Sequence, residues 1–143
     1  MAPRTFELPV TVADGDIDEL DHVNNVVYLR WVQDAAAAHW FHVVPAEAAA
    51  RVVWVVRRHE IDYKAPALAG DRLVVRTWVE GWSAATSVRR CDVLRPADGR
   101  VLASARTEWV MLDRASGRPR RIADALAGLF AEPAAAAADA AGD

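Results

Sequence analysis

Residues 26–43 place the tightest limit on the fold. Val26, Val27, Leu29, Trp31, Val32, Ala35 to Ala38, Trp40 and Phe41 leave only a narrow polar stripe at Arg30, Gln33 and Asp34. A helix that is apolar nearly all round belongs in a core, and Pro45 ends it. The rest of the chain supplies strands to cover it. Residues 6–12 alternate loosely, and residues 51–64, 73–82, 86–95 and 101–112 read as four further strands. Pro66 with Gly70-Asp71, and Pro96-Ala97-Asp98-Gly99, carry turn chemistry between them. Ala46 to Ala50 predict a helical turn, and Ile122, Leu126, Leu129 and Phe130 fall at the spacing of a short terminal helix. Consecutive strands on tight turns pair antiparallel. The order predicts an α+β fold, a curled antiparallel five-stranded sheet wrapped round one long buried helix.

The chain has 143 residues, enough for one domain with a sizeable core. We set that domain at residues 1–132 and read residues 133–143 as an Ala-rich, disordered tail. A net charge of −3 gives no basic field, so neither nucleic acid nor an anionic membrane is an expected partner. No apolar run reaches the roughly 18 residues a membrane span needs, and the N-terminus lacks an apolar signal region. The single cysteine, Cys91, excludes an internal disulfide and a Cys-rich metal site, and mid-strand it reads as an inert buried thiol. These features predict a cytoplasmic protein. Six of the eleven aromatic residues are Trp, a residue of cores and of subunit interfaces.

Chemistry concentrates in the acidic loop that leads into the long helix. Asp14, Asp16, Asp18, Glu19 and Asp21 precede His22-Val23-Asn24-Asn25. Asn is a strong helix N-cap, and a helix start offers unpaired N–H donors and partial positive charge. A carboxylate beside such donors makes half of an acyl-transfer site. Calcium fits poorly, because the sixth loop position is Glu19 instead of Gly and the twelfth is Asn25 instead of Glu. Zinc fails too, since His22, His39, His42 and His59 lack ligand spacing, so no metal and no bound cofactor is expected. No serine sits in a Gly-x-Ser-x-Gly context. His39, opposite the polar stripe, reads as a core histidine.

Asp16-Ile17-Asp18, then three residues, then His22-Val23-Asn24-Asn25 and Tyr28, resembles the signature of hot-dog-fold acyl-CoA thioesterases of the 4-hydroxybenzoyl-CoA thioesterase-like family. The likeness extends over residues 6–130, and the segment from Trp54 to Tyr63 with its Pro66 and Gly70-Asp71 turn looks like the family's second strand. Asp21 departs from it, since the family usually carries a small or uncharged residue before the His. The resemblance implies hydrolysis of an acyl-CoA to a carboxylic acid and free CoA. Asp18 would act as general base or as nucleophile, His22 would orient Asp18 or a water, and the N–H of Asn25 or a neighbour would polarise the thioester carbonyl. Val23, Asn24, Tyr28 and His59 would meet the substrate. Arg89, Arg90 and Arg120 are candidates for the phosphates of CoA. The family pairs subunits edge to edge, so a homodimer or homotetramer is implied. An acyl-carrier-protein thioesterase and a non-catalytic acyl-binding protein are the alternatives on this scaffold.

Overall fold

In the computed structural model, which describes residues 2–132, a single antiparallel sheet packs on one long helix. Its strands are β1 (Phe6–Thr11), β2 (Val52–Tyr63), β3 (Arg72–Ser83), β4 (Thr86–Arg95) and β5 (Arg100–Asp113). The helices are α1 (Asn25–Val43), α2 (Ala46–Ala49) and α3 (Asp124–Gly128). The sheet order β1-β3-β4-β5-β2 leaves β2, the first strand after α1, on one edge. This is the α+β arrangement that the sequence predicts. The tail at 133–143 lies outside the described residues.

Strict alternation along β3 and β4 aims Leu73, Val75, Thr77 and Val79, with Ser87, Arg89, Cys91 and Val93, at the helix. The outer face carries charge, with Arg90 on Glu80 at 3.1 Å and Arg57 on Glu108 at 3.2 Å. A β-bulge lies between Val56 and Arg58 in β2. It inserts Arg57 as an extra residue and turns it outward to Glu108, away from the inner face of His59, Ile61 and Tyr63 on which plain alternation places it.

The core divides in two. Val12, Val27, Tyr28, Trp31, Val32, Ala35, Leu73 and Val75 pack at the start of α1, with Leu102 and Ala103 of β5. Trp40, Val44, Val52, Met111, Ile122 and Phe130 pack at its end. Each large apolar side chain buried there contributes roughly 1.5–3 kcal/mol. The terminal helix is shorter than its apolar spacing suggests. Only residues Asp124–Gly128 are helical, while Ile122 and Phe130 flank it as buried anchors.

One expectation is corrected. Helix α1 is not buried all round: Val26 is 68% exposed and Phe41 69%, and Gln33, Asp34 and Ala37 share their open side. A single sheet covers one side of a helical cylinder, so the apolar residues of the other side face outward in the isolated chain.

Candidate active site

The entry to α1 is built by the acidic loop. Ile17 and Val23 form an isolated antiparallel bridge, and the Asp18 N–H donates to the His22 carbonyl at 2.9 Å. Between them the chain reverses through Asp21, whose φ of 60° is left-handed, a region Asp tolerates better than most residues. Half-buried Asp18 accepts the Leu20 N–H on Oδ1 at 2.9 Å, and its Oδ2 has no partner among the described residues. His22 therefore holds Asp18 through its main chain, while its imidazole is exposed.

Asp16 anchors this loop. It is 7% exposed and accepts from the Ala13 N–H at 3.0 Å and from Arg30 of α1 at 2.9 Å. Burial alone would push its carboxyl up, but the Ala13 N–H and the Arg30 guanidinium outweigh that and hold it below the ordinary value. Arg30 is a member of the polar stripe whose anchoring role the sequence did not disclose.

Donors at the helix start are nearly all used. Asn24 is the N-cap, its Oδ1 accepting from Val26 N–H at 3.0 Å, and its own N–H goes to the Asp16 carbonyl at 2.9 Å. The Val27 N–H bonds the Asn24 carbonyl at 2.9 Å. The Asn25 N–H alone of this set has no acceptor among the described residues. Asn25 is also exposed, and its carbonyl accepts from the Tyr63 hydroxyl at 3.2 Å. A free carboxylate oxygen and a free, dipole-aligned N–H thus flank one loop.

The other sequence-predicted residues divide. Val23 is core, 3% exposed. Tyr28 is a bracket, its hydroxyl accepting the Ala67 N–H at 3.0 Å and its ring set edge-on to Trp31 and Tyr63. His59 contacts Thr107 Oγ1 through Nδ1 at 2.8 Å and Gln33 of α1 through Nε2 at 3.4 Å, and burial lowers its pKa. Adjacent strand residues face opposite ways, so Arg89 and Arg90 are not brought together. Arg90 lies outside on Glu80, and Arg120 pairs with Asp113 at 3.2 Å beside a hollow shared with Arg51 and Arg114.

Arg89 is 7% exposed under α1. Its Nη1 donates to Thr77 Oγ1 at 3.2 Å and contacts His39 Nδ1 at 2.9 Å. His39, 1% exposed, is stacked on Phe6 with centroids 5.1 Å apart and meets the edge of Phe130. Burial, with the Arg89 charge adding to it, drops the His39 pKa to about 4, so its ring is neutral and can accept from Arg89. Cys91 is buried, and burial pushes its thiol up to about 12, which fits an inert core residue. Arg89 also forms part of the wall of a cavity of about 420 Å³ between the second half of α1 and the sheet. Trp40, Trp54, Trp82, Trp109 and Phe41 give it aromatic sides, and Gln33, Asp34 and Ala37 of the open stripe lie at its edge. Alternation places Arg89 in phase with Cys91 and Val93, a signal that would have separated it from Arg90. Among the described residues no three His, Cys, Asp or Glu side chains gather as metal ligands, and no helix is long and apolar enough to cross a membrane.

Residues 12–130 match the family profile described as the thioesterase-like superfamily. Among solved structures, the dynemicin thioesterase, studied with bound polyene, superposes with a TM-score of 0.80 at 21% identity, over 91% of this chain and 99% of that one. A thioesterase from Thermus thermophilus, complexed with coenzyme A and Zn, gives a TM-score of 0.76 at 27% identity, over 87% and 90%. A 1,4-dihydroxy-2-naphthoyl-CoA thioesterase from Synechocystis gives 0.75 at 21%, over 88% and 95%. No protein of curated function matches the chain in sequence.

Proposed function

The chain belongs to the thioesterase-like superfamily, and from that premise we propose that it hydrolyses an acyl-CoA to a carboxylic acid and free CoA, with Asp18 as the acting carboxylate. The observation that carries the reading is the pairing of an unengaged Asp18 Oδ2 with an unengaged Asn25 N–H at the start of α1. As general base, Asp18 takes a proton from water as the water oxygen bonds the carbonyl carbon. The Asn25 N–H donates to the carbonyl oxygen as it gains negative charge. Collapse of the tetrahedral intermediate breaks the C–S bond, and the CoA thiolate leaves and takes up the proton. As nucleophile, Asp18 would bond the same carbon and expel the CoA thiolate as the C–S bond breaks, leaving an anhydride that water opens to the acid and free Asp18. Both routes use the same two groups. His22 is a positioning residue, since its contact with Asp18 is through the main chain.

The site is completed by a second copy. Edge strand β2 is 12 residues long, lacks Pro and Gly, and has β5 on one side only. The opposite edge, β1, has six residues with Pro9 inside it. Antiparallel pairing of β2 with its own copy about a two-fold axis sets the Tyr63 end of one strand beside the Val52 end of the other. Tyr63 contacts Asn25, and Val52 lines the aromatic cavity. Each Asp18 then faces the partner's cavity as acyl pocket, and the hollow with Arg51, Arg114 and Arg120 offers positive charge for CoA phosphates. Asn24 and His59 flank the path between them, and Val23 and Tyr28 support it from the core. We place the assembled enzyme in the cytoplasm.

Thiol release, followed with a thiol-reactive dye across aliphatic and aromatic acyl-CoAs, tests this. Asp18→Asn is expected to lower kcat by at least about a hundredfold, the scale on which a general base contributes. Full activity in Asp18→Asn, or no turnover of any acyl-CoA, overturns the reading. His22→Ala is expected to lose much less, because the main-chain contact survives.

A further inference from the structure

The aromatic cavity has a feature that an acyl pocket for plain hydrocarbon does not need. Arg89 is a cation, 7% exposed, with no carboxylate in ion-pair range among the described residues. Of its five N–H donors, hydrogen bonds engage Nη1 alone, through a neutral ring and a hydroxyl, and the guanidinium lies over the Phe130 ring at 5.9 Å. Nε and Nη2 have no acceptor among the described residues, and Arg89 lines the cavity. Buried polar groups in native proteins are nearly always satisfied, and an unpaired buried charge costs several kcal/mol. A buried guanidinium with free N–H donors in the wall of a cavity marks the place of an anionic acceptor.

The walls define the rest of the occupant. Tryptophan sides call for a flat or extended apolar body, and a volume of about 420 Å³ falls in the range of small-ligand pockets. Among the described residues the one carboxylate lining the cavity is that of Asp34, which belongs to the exposed stripe of α1, while Arg89 is buried beneath the helix. An anionic group is thus repelled at the rim and attracted in the depth.

We propose that Arg89 is a specificity-determining residue that selects acyl groups whose end remote from the thioester bears a carboxylate. This deepens the thioesterase reading and rests on it for the word acyl. The guanidinium takes the carboxylate in a two-point contact. Hydrocarbon tails of equal size forgo these contacts and leave the charge unpaired.

Matched probes separate the two claims. N-Methyl-4-carboxybenzamide and N-methyl-4-methylbenzamide carry an unreactive amide where the thioester would be, so binding is read without turnover, by quenching of tryptophan fluorescence. The carboxyl probe is expected to bind the wild-type protein at least about tenfold more tightly, a gap that Arg89→Met abolishes. In parallel, 4-carboxybenzoyl-CoA should exceed 4-methylbenzoyl-CoA in kcat/KM by a similar factor, and Arg89→Met should reverse the order. Equal or inverted binding of the two amides by wild-type protein overturns the proposal, and this result needs no variant to fold. Preferential binding of the carboxyl amide with no turnover of either thioester would uphold the anion pocket and sink the hydrolase reading instead. Hydrolysis with the methyl compound preferred would do the reverse.

Discussion

The His39 ring, buried between Phe6 and Phe130 against Arg89, makes stability depend on pH in a window of its own. Burial, aided by the Arg89 charge, lowers its pKa from 6.5 to about 4. In the unfolded chain it protonates near 6.5, and in the folded chain it resists. The neutral folded form is therefore at full advantage above about pH 6.5, and stability falls as protons bind the unfolded state between there and about pH 4. At 1.36 kcal/mol for each unit of pKa difference, the loss by about pH 4.5 is roughly 2–3 kcal/mol. That is a large share of the roughly 5–15 kcal/mol that holds a domain folded. Depressed carboxylates such as Asp16, Asp98 and Asp113 lose their contribution only at lower pH, because their ordinary value is 3.8. His59, also lowered by burial, adds to the same window but is half-buried. Urea unfolding at fixed protein concentration, from about pH 7 to about pH 4.5, measures the slope. His39→Asn supplies an acceptor that does not titrate. It should be less stable than wild type at neutral pH, through the lost ring stack, yet the gap should close by about 2–3 kcal/mol on acidification. Parallel slopes would refute the claim that His39 is held neutral.

Three further outcomes test the frame around the site. Asp16→Asn keeps the shape but weakens the bonds from Ala13 and Arg30; with Arg30 half-exposed we expect about 1.5 kcal/mol of stability lost in urea and a lower kcat. Tyr28→Phe leaves the buried Ala67 N–H without its acceptor and should cost about 1–3 kcal/mol in unfolding free energy, with kcat within a few-fold of wild type. Phe41→Asp changes a residue 69% exposed in the single chain, so the fold should persist while sedimentation shows dissociation to monomers and activity falls. A Phe41→Asp protein that stays dimeric and active would show that the proposed β2 pairing does not bring the exposed side of α1 against the second copy.

Much of this was legible in the order of residues. The strand alternation of residues 73–82 and 86–95, the turn at Pro96 to Gly99 and the Asn cap gave the sheet and the helix start, because each rests on local preference. Residues that act through distant neighbours were not legible. Asp16 and Arg30 meet across 14 positions, Arg89 and His39 across 50, and no local pattern encodes such a pair. Plain alternation puts Arg57 on the wrong face because a bulge resets alternation without a marker in the residue type. The exposed side of α1 escaped for another reason. An apolar residue that faces outward and one that lies in a core are the same letter.

The two halves of the core meet at a polar band, and that band explains how one chain keeps both a helix and a cavity. Arg89 pairs across the sheet with Thr107, and Thr107 with His59, while Thr77 and His39 complete the inner layer. A sequence shaped only for stability would fill these positions with apolar residues, as β3 does with Val75 and Val79 on either side of Thr77. Apolar side chains there would let α1 settle onto the sheet and close the space between Trp40 and Trp109. Hydrogen bonds have preferred lengths and directions, so a helix held by His39 and Gln33 stands off at a fixed height. The band is therefore the element through which the fold maintains an open pocket, and Arg89 serves both as a strut of that spacing and as the charge presented to whatever enters.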